Sequence, residues 1–348
     1  MAKIKKIIAG STAALFTATA AVGYYFYKIA FVRKDQHKHA IKEEKLTSVL
    51  SVEITPEKSP EAVSDEVISN HLSIDETIPL TNNEKNRVWL DSIAKQELSL
   101  ITPSGLTLRA YYLQASVMTN KTVILVHGYA ADLISMCGFA KYYFETLGYN
   151  VLLPDNRAHG KSDGKLYGFG WVDRLDLRLW IYKAIRLTCQ ALPKTEKAQI
   201  LLHGVSMGGA TVLMASGDPQ PQELKAIISD CAYSSVWDQL GYRLKADYKL
   251  PRFPIMYVAT LFSKFFIGTT FKKASTEKQV THSKTPTLFV HGDADDFVPF
   301  HMVHQLYNAC AAKKSMVVIS GAKHAESWDT DQELYKKSLS SFLELYMK

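Results

Sequence analysis

Cysteine is scarce in this chain and poorly placed for chemistry. The four cysteines, Cys137, Cys189, Cys231 and Cys310, lie far apart and form no C-x-x-C pair. Neither a zinc site nor a redox-active dithiol is therefore indicated, and unpaired buried thiols are expected. Charge is missing from one long stretch, the 21 residues from Ile7 to Tyr27 between Lys6 and Lys28. Aromatic residues are missing from another, with none between Phe31 and Trp89. A concentrated basic patch is lacking too. The net charge is +7 and the pI near 9.0, but the first 86 residues hold 11 Lys plus Arg against 11 Asp plus Glu, and the excess is scattered over the remainder. That pattern describes a solvated basic surface and argues against a nucleic-acid partner. No internal repeat is visible, and a composition that is 47% hydrophobic and 22% charged is that of an ordinary globular protein.

The uncharged run Ile7 to Tyr27 would span about 31 Å as a helix, the thickness of a bilayer's hydrocarbon core. Tyr24, Tyr25, Phe26 and Tyr27 then fall where an interfacial aromatic belt would lie. Residues 1–32 are accordingly expected to anchor the chain in the cell membrane as a single pass. The competing reading is a cleavable signal peptide, with Lys3, Lys5 and Lys6 as its basic region and Ala18-Thr19-Ala20 as its cleavage site. Six basic residues follow the run by Lys45, and that count favours a cytoplasmic C-terminus. A short Lys-rich start before an apolar run instead resembles an export signal, and the catalytic part is expected on the extracytoplasmic side. Residues 33–86 are rich in Ser, Thr and charge, contain Pro56, Pro60 and Pro79, and lack large anchors. Such a segment cannot bury enough surface to offset its ordering entropy, so it reads as a tether.

Folded sequence is expected over residues 87–348. Gln96 to Ile101 and Leu106 to Leu113 read as an antiparallel hairpin turned at Thr102-Pro103-Ser104-Gly105. Beyond it, apolar strands alternate with helical patterns. Strands are expected at Lys121 to Val126, Asn150 to Leu153, Ala198 to Leu202, Ala226 to Ser229, Thr287 to Val290 and Ser315 to Ile319, and helices at Asp132 to Leu147, Asp173 to Thr188, from Ala210, Phe300 to Ala311 and Gln332 to Tyr346. This alternation implies an α/β fold, a mostly parallel central sheet with helices on both faces. Ligands in such sheets bind at the carboxyl ends of the strands.

At one of those ends lies Leu201 to Gly209, L-L-H-G-V-S-M-G-G, which contains the G-x-S-x-G of Gly204, Ser206 and Gly208. A serine on a sharp strand-to-helix turn projects clear of the sheet, and crowding at the turn demands glycine on either side. The hydroxyl needs a base and a group to orient that base. The later strand ends offer His291-Gly292-Asp293-Ala294-Asp295-Asp296-Phe297-Val298-Pro299 and Gly321-Ala322-Lys323-His324-Ala325. Asp293 and Asp296 are alternatives as turn formers or caps, Asp296 as a helix N-cap, and Asp230 is the other strand-end carboxylate. His127, His203 and His291 precede glycines at strand ends and read as packing residues. Arg157 and His159, in Asp155 to Ser162, read as shaping their loop.

The chain order Ser, Asp, His is that of the α/β-hydrolases, and residues 87–348 resemble that superfamily. The similarity is to bacterial membrane-anchored serine hydrolases and to the cinnamoyl-esterase and prolyl-oligopeptidase-like branches, whose H-G-x-x-D-x-x-V-P segment matches His291, Gly292, Asp295, Val298 and Pro299. The resemblance implies Ser206 as nucleophile, His324 as general base, Asp295 as orienting acid, and an oxyanion hole from the backbone N–H groups of Tyr129 and Met207. It also implies hydrolysis of a small-molecule carboxylic ester through an acyl-enzyme, with no cofactor and no metal. Peptide or amide hydrolysis is the alternative, and a non-enzymatic membrane protein that retains the fold is a second. The connection from residue 231 to 284 is far longer than usual for this fold and rich in aromatics. It is expected to be a small helical lid over the strand ends, with Phe265 and Phe266 among the residues walling the pocket.

Overall fold

The computed structural model describes residues 20–33 and 81–348. Eight strands form one sheet: β1 (Gln96–Ile101), β2 (Thr107–Leu113), β3 (Lys121–Val126), β4 (Asn150–Pro154), β5 (Gln199–Val205), β6 (Leu224–Asp230), β7 (Thr287–Gly292) and β8 (Lys314–Ile319). Their order is β1-β2-β4-β3-β5-β6-β7-β8. β2 runs antiparallel to both β1 and β4, and every later pairing is parallel. Strands of this parallel core are covered on both faces, so β3 buries five consecutive residues, Thr122 to Val126, instead of alternating. Two hydrophobic clusters result, one built on Ile124, Leu202 and Leu213, the other on Val123, Leu201 and Ile228.

The helices are α1 (residues 20–31), α2 (Asn82–Ser92), α3 (Cys137–Lys141), α4 (Asp173–Gln190), α5 (Met207–Ser216), α6 (Val236–Tyr248), α7 (Ile255–Phe266), α8 (Thr276–Val280), α9 (His301–Ala309), α10 (Ser327–Thr330) and α11 (Gln332–Tyr346). From β3 the chain crosses to β4 on one side and then returns to β5 on the other. That reversal leaves a crevice between the carboxyl ends of β3 and β5, the place where open α/β sheets bind ligands.

Three expectations about the elements need correction. The folded part begins earlier than residue 87, within the stretch read as tether. Thr81 caps α2, its side chain accepting from Glu84 N while Glu84 reaches back to Thr81 N, a complete capping box. The single helix expected over Asp132 to Leu147 is a 3-10 turn at Leu133–Met136, then α3, then a widened π turn at Tyr142–Thr146. Within the widened turn Tyr143 is fully buried, with its hydroxyl 3.1 Å from His203 Nδ1. The cysteines are all free as expected, but Cys189 is exposed.

The third correction concerns α1. Of the run read as a membrane anchor, residues 7–19 lie outside the described residues, and among the described residues no helix is long and apolar enough to cross a membrane. What is described is docked on the domain. Phe26, Tyr27, Ala30 and Phe31 are buried, and Phe31 stacks on Phe271 at 5.3 Å and lies 4.5 Å from Phe169. Gly23 meets α7 so closely that an added Cβ would lie 2.6 Å from Val258 Cγ1. Past the helix, Arg33 donates to Gly160 O at 2.6 Å and to Ser162 O at 2.9 Å. Each fully buried aromatic of this kind stabilises the docked segment by about 2 kcal/mol. Tyr24 to Tyr27 therefore do not all face one lipid interface, and half of that cluster belongs to the protein core.

Candidate active site

The turn after β5 fixes Ser206. Its backbone has φ 58° and ψ −117°, a sparsely populated conformation for a residue with a side chain, and its N–H donates to Asp230 O at 2.9 Å. Glycine flanks it because nothing larger fits. A Cβ on Gly204 would lie 2.2 Å from Gly208 O, and one on Gly208 would lie 1.9 Å from Val126 O. The helix α5 starts at the next residue, so the Met207 N–H has no partner within the helix.

Ser206, His324 and Asp295 come together from three strand ends. Ser206 Oγ is 2.8 Å from His324 Nε2, and His324 Nδ1 is 2.7 Å from Asp295 Oδ2. A carboxylate beside Nδ1 requires the proton on that nitrogen, which leaves the Nε2 lone pair free to accept from the serine hydroxyl. Asp295 is itself held on every side. Its Oδ1 accepts from Phe297 N at 2.9 Å and Val298 N at 2.8 Å, and its Oδ2 also lies 3.2 Å from His291 Nε2. Burial alone would raise its pKa, but the hydrogen bonds from His291 and His324, the histidine charge and the Val298 N–H outweigh it and hold the carboxyl well below the usual carboxylate range. Phe297 stacks at 4.7 Å against the His324 ring and backs it on one face.

His291 opens the H-G-x-x-D-x-x-V-P segment but reads in the sequence as a packing residue. It is fully buried, and its Nε2 donates to Val298 O at 3.0 Å as well as toward Asp295. The signal that could have found it is the four-residue spacing from His291 to Asp295 across a tight strand-end turn. The other carboxylates are elsewhere. Asp293 is exposed and ties down Ser320 Oγ and Gly321 N. Asp230 is buried, accepts from Ser327 Oγ at 3.0 Å and is pushed up to about 6 by burial. Asp296 does not cap α9, which starts at His301 behind Phe300 with no side-chain cap; its carbonyl instead accepts from Tyr242 Oη at 2.9 Å. Cys231 Sγ lies with Asp295 and His324 in a group whose ligand atoms are all within 4.8 Å of one another. Burial pushes that thiol well above its usual range, and the carboxylate and imidazole atoms are already committed to each other and to the protein, so this trio does not suit a metal ion.

The loop after β3 passes close to the serine. A Cβ on Gly128 would lie 3.4 Å from Ser206 Cβ, and Tyr129 lines the same pocket as Ser206 and Met207. Two buried histidines brace this loop. His127 Nε2 accepts from Asn156 N at 3.0 Å, and His159 Nε2 accepts from Ala130 N at 3.2 Å. Both roles need a neutral ring, and burial lowers His127 to about 4 and His159 to about 3. Arg157 pairs with Asp176 at 2.7 Å, as a loop-shaping residue would. The pocket above Ser206 is a cavity of about 190 Å³. Its walls are largely apolar: Tyr233, Leu240 and Tyr248 from the insertion, Phe297 from the loop after β7, and Phe26 and Ile29 from α1. Phe265 and Phe266, expected in this wall, do not line it: Phe265 is 83% exposed, and Phe266 stacks on Tyr27 of α1 at 5.8 Å.

The sheet order and the crevice are those of the α/β-hydrolase fold, and two family models match parts of the chain. Residues 121–254 match the α/β hydrolase fold family and residues 198–325 match the serine hydrolase (FSH1) family. Among individual proteins it is 28% identical over 251 residues to the uncharacterised protein YqkD of Bacillus subtilis, covering 72% of this chain and 80% of that one. It shares its fold with the Pyrococcus furiosus esterase Pf2001, with a TM-score of 0.58 and 23% identity over 74% of this chain and 93% of the esterase. The fold is shared as well with the Pyrococcus horikoshii acylaminoacyl peptidase, at TM-score 0.51 and 18% identity, where the match covers 75% of this chain and 43% of the peptidase.

Proposed function

We propose that the protein is a serine esterase that cleaves carboxylic esters through an acyl-enzyme. The observation that carries this reading is the continuous line of hydrogen bonds from Ser206 Oγ through His324 to Asp295, at the foot of an apolar pocket. In this reading His324 takes the Ser206 proton as Oγ attacks the ester carbonyl, and Asp295 stabilises the imidazolium that forms. The Met207 and Tyr129 N–H groups receive the developing oxyanion, each contributing on the order of 3 kcal/mol to lowering the barrier. His324 then hands the proton to the leaving alcohol and later draws one from the water that releases the acid. His291 is a positioning residue that fixes the second lone pair of Asp295 Oδ2. The uncharged run Ile7–Thr19, with Lys3, Lys5 and Lys6 before it, holds the enzyme at the cell membrane, with the catalytic domain on the extracytoplasmic side.

A panel of p-nitrophenyl esters graded from acetate to laurate, run beside aminoacyl p-nitroanilides, tests the reaction class. Turnover of the esters with kcat/KM well above that of every anilide is expected. Faster cleavage of the anilides would make the protein an amidase or peptidase, and no turnover of either would remove the enzymatic reading.

A further inference from the structure

α7 is apolar on more than one side, which in a soluble domain signals a helix with more than one partner. Its inner face is buried through Ile255, Met256, Ala259 and Ser263. A second face is covered by α1, where Gly23 fits against Val258 and Tyr24 lies 5.0 Å from Phe262. A third face is largely open among the described residues, covered only at Tyr257, where Trp237 meets the ring edge-on at 5.2 Å and Lys272 Nζ lies 5.6 Å from it. Tyr257, Leu261 and Phe265 follow at helical spacing and are 49%, 66% and 83% exposed, with Phe253 ahead of them at 71%. α1 adds exposed Val22 and Tyr25. Single exposed apolar residues are ordinary, but a run of large ones over two packed helices marks an interaction surface.

Two observations decide what covers it. Neither α1 nor α7 carries an acidic residue, and each exposes one lysine, Lys28 and Lys264. Apolar side chains with basic residues beside them suit the interface of an anionic bilayer. In addition, α1 is joined directly to Ile7–Thr19, which carries no charge and follows Lys3, Lys5 and Lys6. The same helix also walls the pocket, since Phe26 and Ile29 line it, Phe26 meets Tyr248 edge-on at 6.3 Å, and Tyr129 Oη donates to Ala30 O at 3.0 Å.

We propose that the outer face of α1 and α7 rests on a lipid bilayer and that the pocket beneath takes the acyl chain of an ester held in that bilayer. The substrate class is therefore a membrane-resident acyl ester. This rests on the esterase reading of Ser206, and the test separates the two. The full chain is reconstituted into vesicles of phosphatidylcholine and phosphatidylglycerol carrying a fluorogenic long-chain diacylglycerol. Wild type is compared with the Leu261→Glu/Phe265→Glu double variant, whose sites are exposed and outside the pocket. Hydrolysis of the vesicle ester is expected to fall at least about tenfold in the variant, as burying two carboxylates in the interface is costly, while turnover of soluble p-nitrophenyl butyrate stays the same. A second measurement needs no activity. Emission of a Phe265→Trp variant, taken over the wild-type background, is expected to be quenched by lipids brominated on their acyl chains. Equal vesicle-ester rates together with an unquenched indole at that position would overturn the proposal while leaving the esterase reading intact. An indole already shielded in detergent, by residues 7–19 or by a second copy of the chain, would overturn it as well. Loss of butyrate turnover in the wild type would instead count against the esterase reading.

Discussion

Replacing Ser206 by alanine is expected to lower kcat for a p-nitrophenyl ester by roughly 10⁴-fold or more while leaving the melting temperature within a few degrees of wild type. The side chain has a single hydrogen-bond partner, His324 Nε2, so removing Oγ takes away the attacking atom and strands no second polar group. The positive φ at this position is a feature of the turn. It burdens serine and alanine alike, and the Gly204 and Gly208 contacts that impose it are unchanged. Residual turnover would then come from Met207 and Tyr129 polarising the bound carbonyl. A variant that keeps a tenth or more of the wild-type kcat would mean that another group attacks.

Asp295→Asn is expected to cost about 10³- to 10⁴-fold in kcat. Oδ1 keeps its bonds from the Phe297 and Val298 N–H groups, so the new amide nitrogen takes the place of Oδ2. There it faces His324 Nδ1 and the His291 Nε2–H, and it can only donate. His324 would be driven to carry its proton on Nε2, where it cannot accept from Ser206. The two neighbouring candidates set the scale. Asp293→Asn should change kcat by less than about threefold, since Asp293 only ties Ser320 and Gly321, and Asp230→Asn should do the same, since its carboxyl bonds Ser327 and not His324. Kinetics at fixed pH, with thermal melts to exclude unfolding, check all three. Losses at Asp293 or Asp230 equal to that at Asp295 would contradict the assignment.

The sheet was legible because its strands are unbroken apolar runs punctuated by glycine. β1, β3 and α11 have the bounds that periodicity suggests, whereas β5 runs on to Val205, β2 starts one residue later and α9 is shorter at both ends. That Ser206, Asp295 and His324 meet follows from the same pattern: each lies within five residues of the end of a strand of a parallel sheet, and a topology of that kind gathers strand ends. The role of His291 was not legible, since a histidine buried in a strand end looks the same in sequence whether it packs or donates. The docking of α1 was also hidden. Tyr24, Tyr25, Phe26 and Tyr27 look alike to an aromatic-belt argument, and only the partners Phe262, Tyr248 and Phe266 reveal that Tyr24, Phe26 and Tyr27 face the domain while Tyr25 does not. Phe265 and Phe266 were misread for the opposite reason. Aromatic content alone does not say which helix of the insertion meets the pocket: α6 does, through Leu240 and Tyr248, while α7 turns Ala259 and Ser263 inward and leaves Phe265 exposed.

The most direct test of the account is covalent. The full-length protein is treated with a fluorophosphonate, digested, and the modified residue located by mass spectrometry. A hydroxyl activated by His324 should react stoichiometrically, giving an adduct confined to Ser206 that appears in step with the loss of ester turnover. An adduct at another residue, or full turnover by a protein left unmodified, would contradict the account.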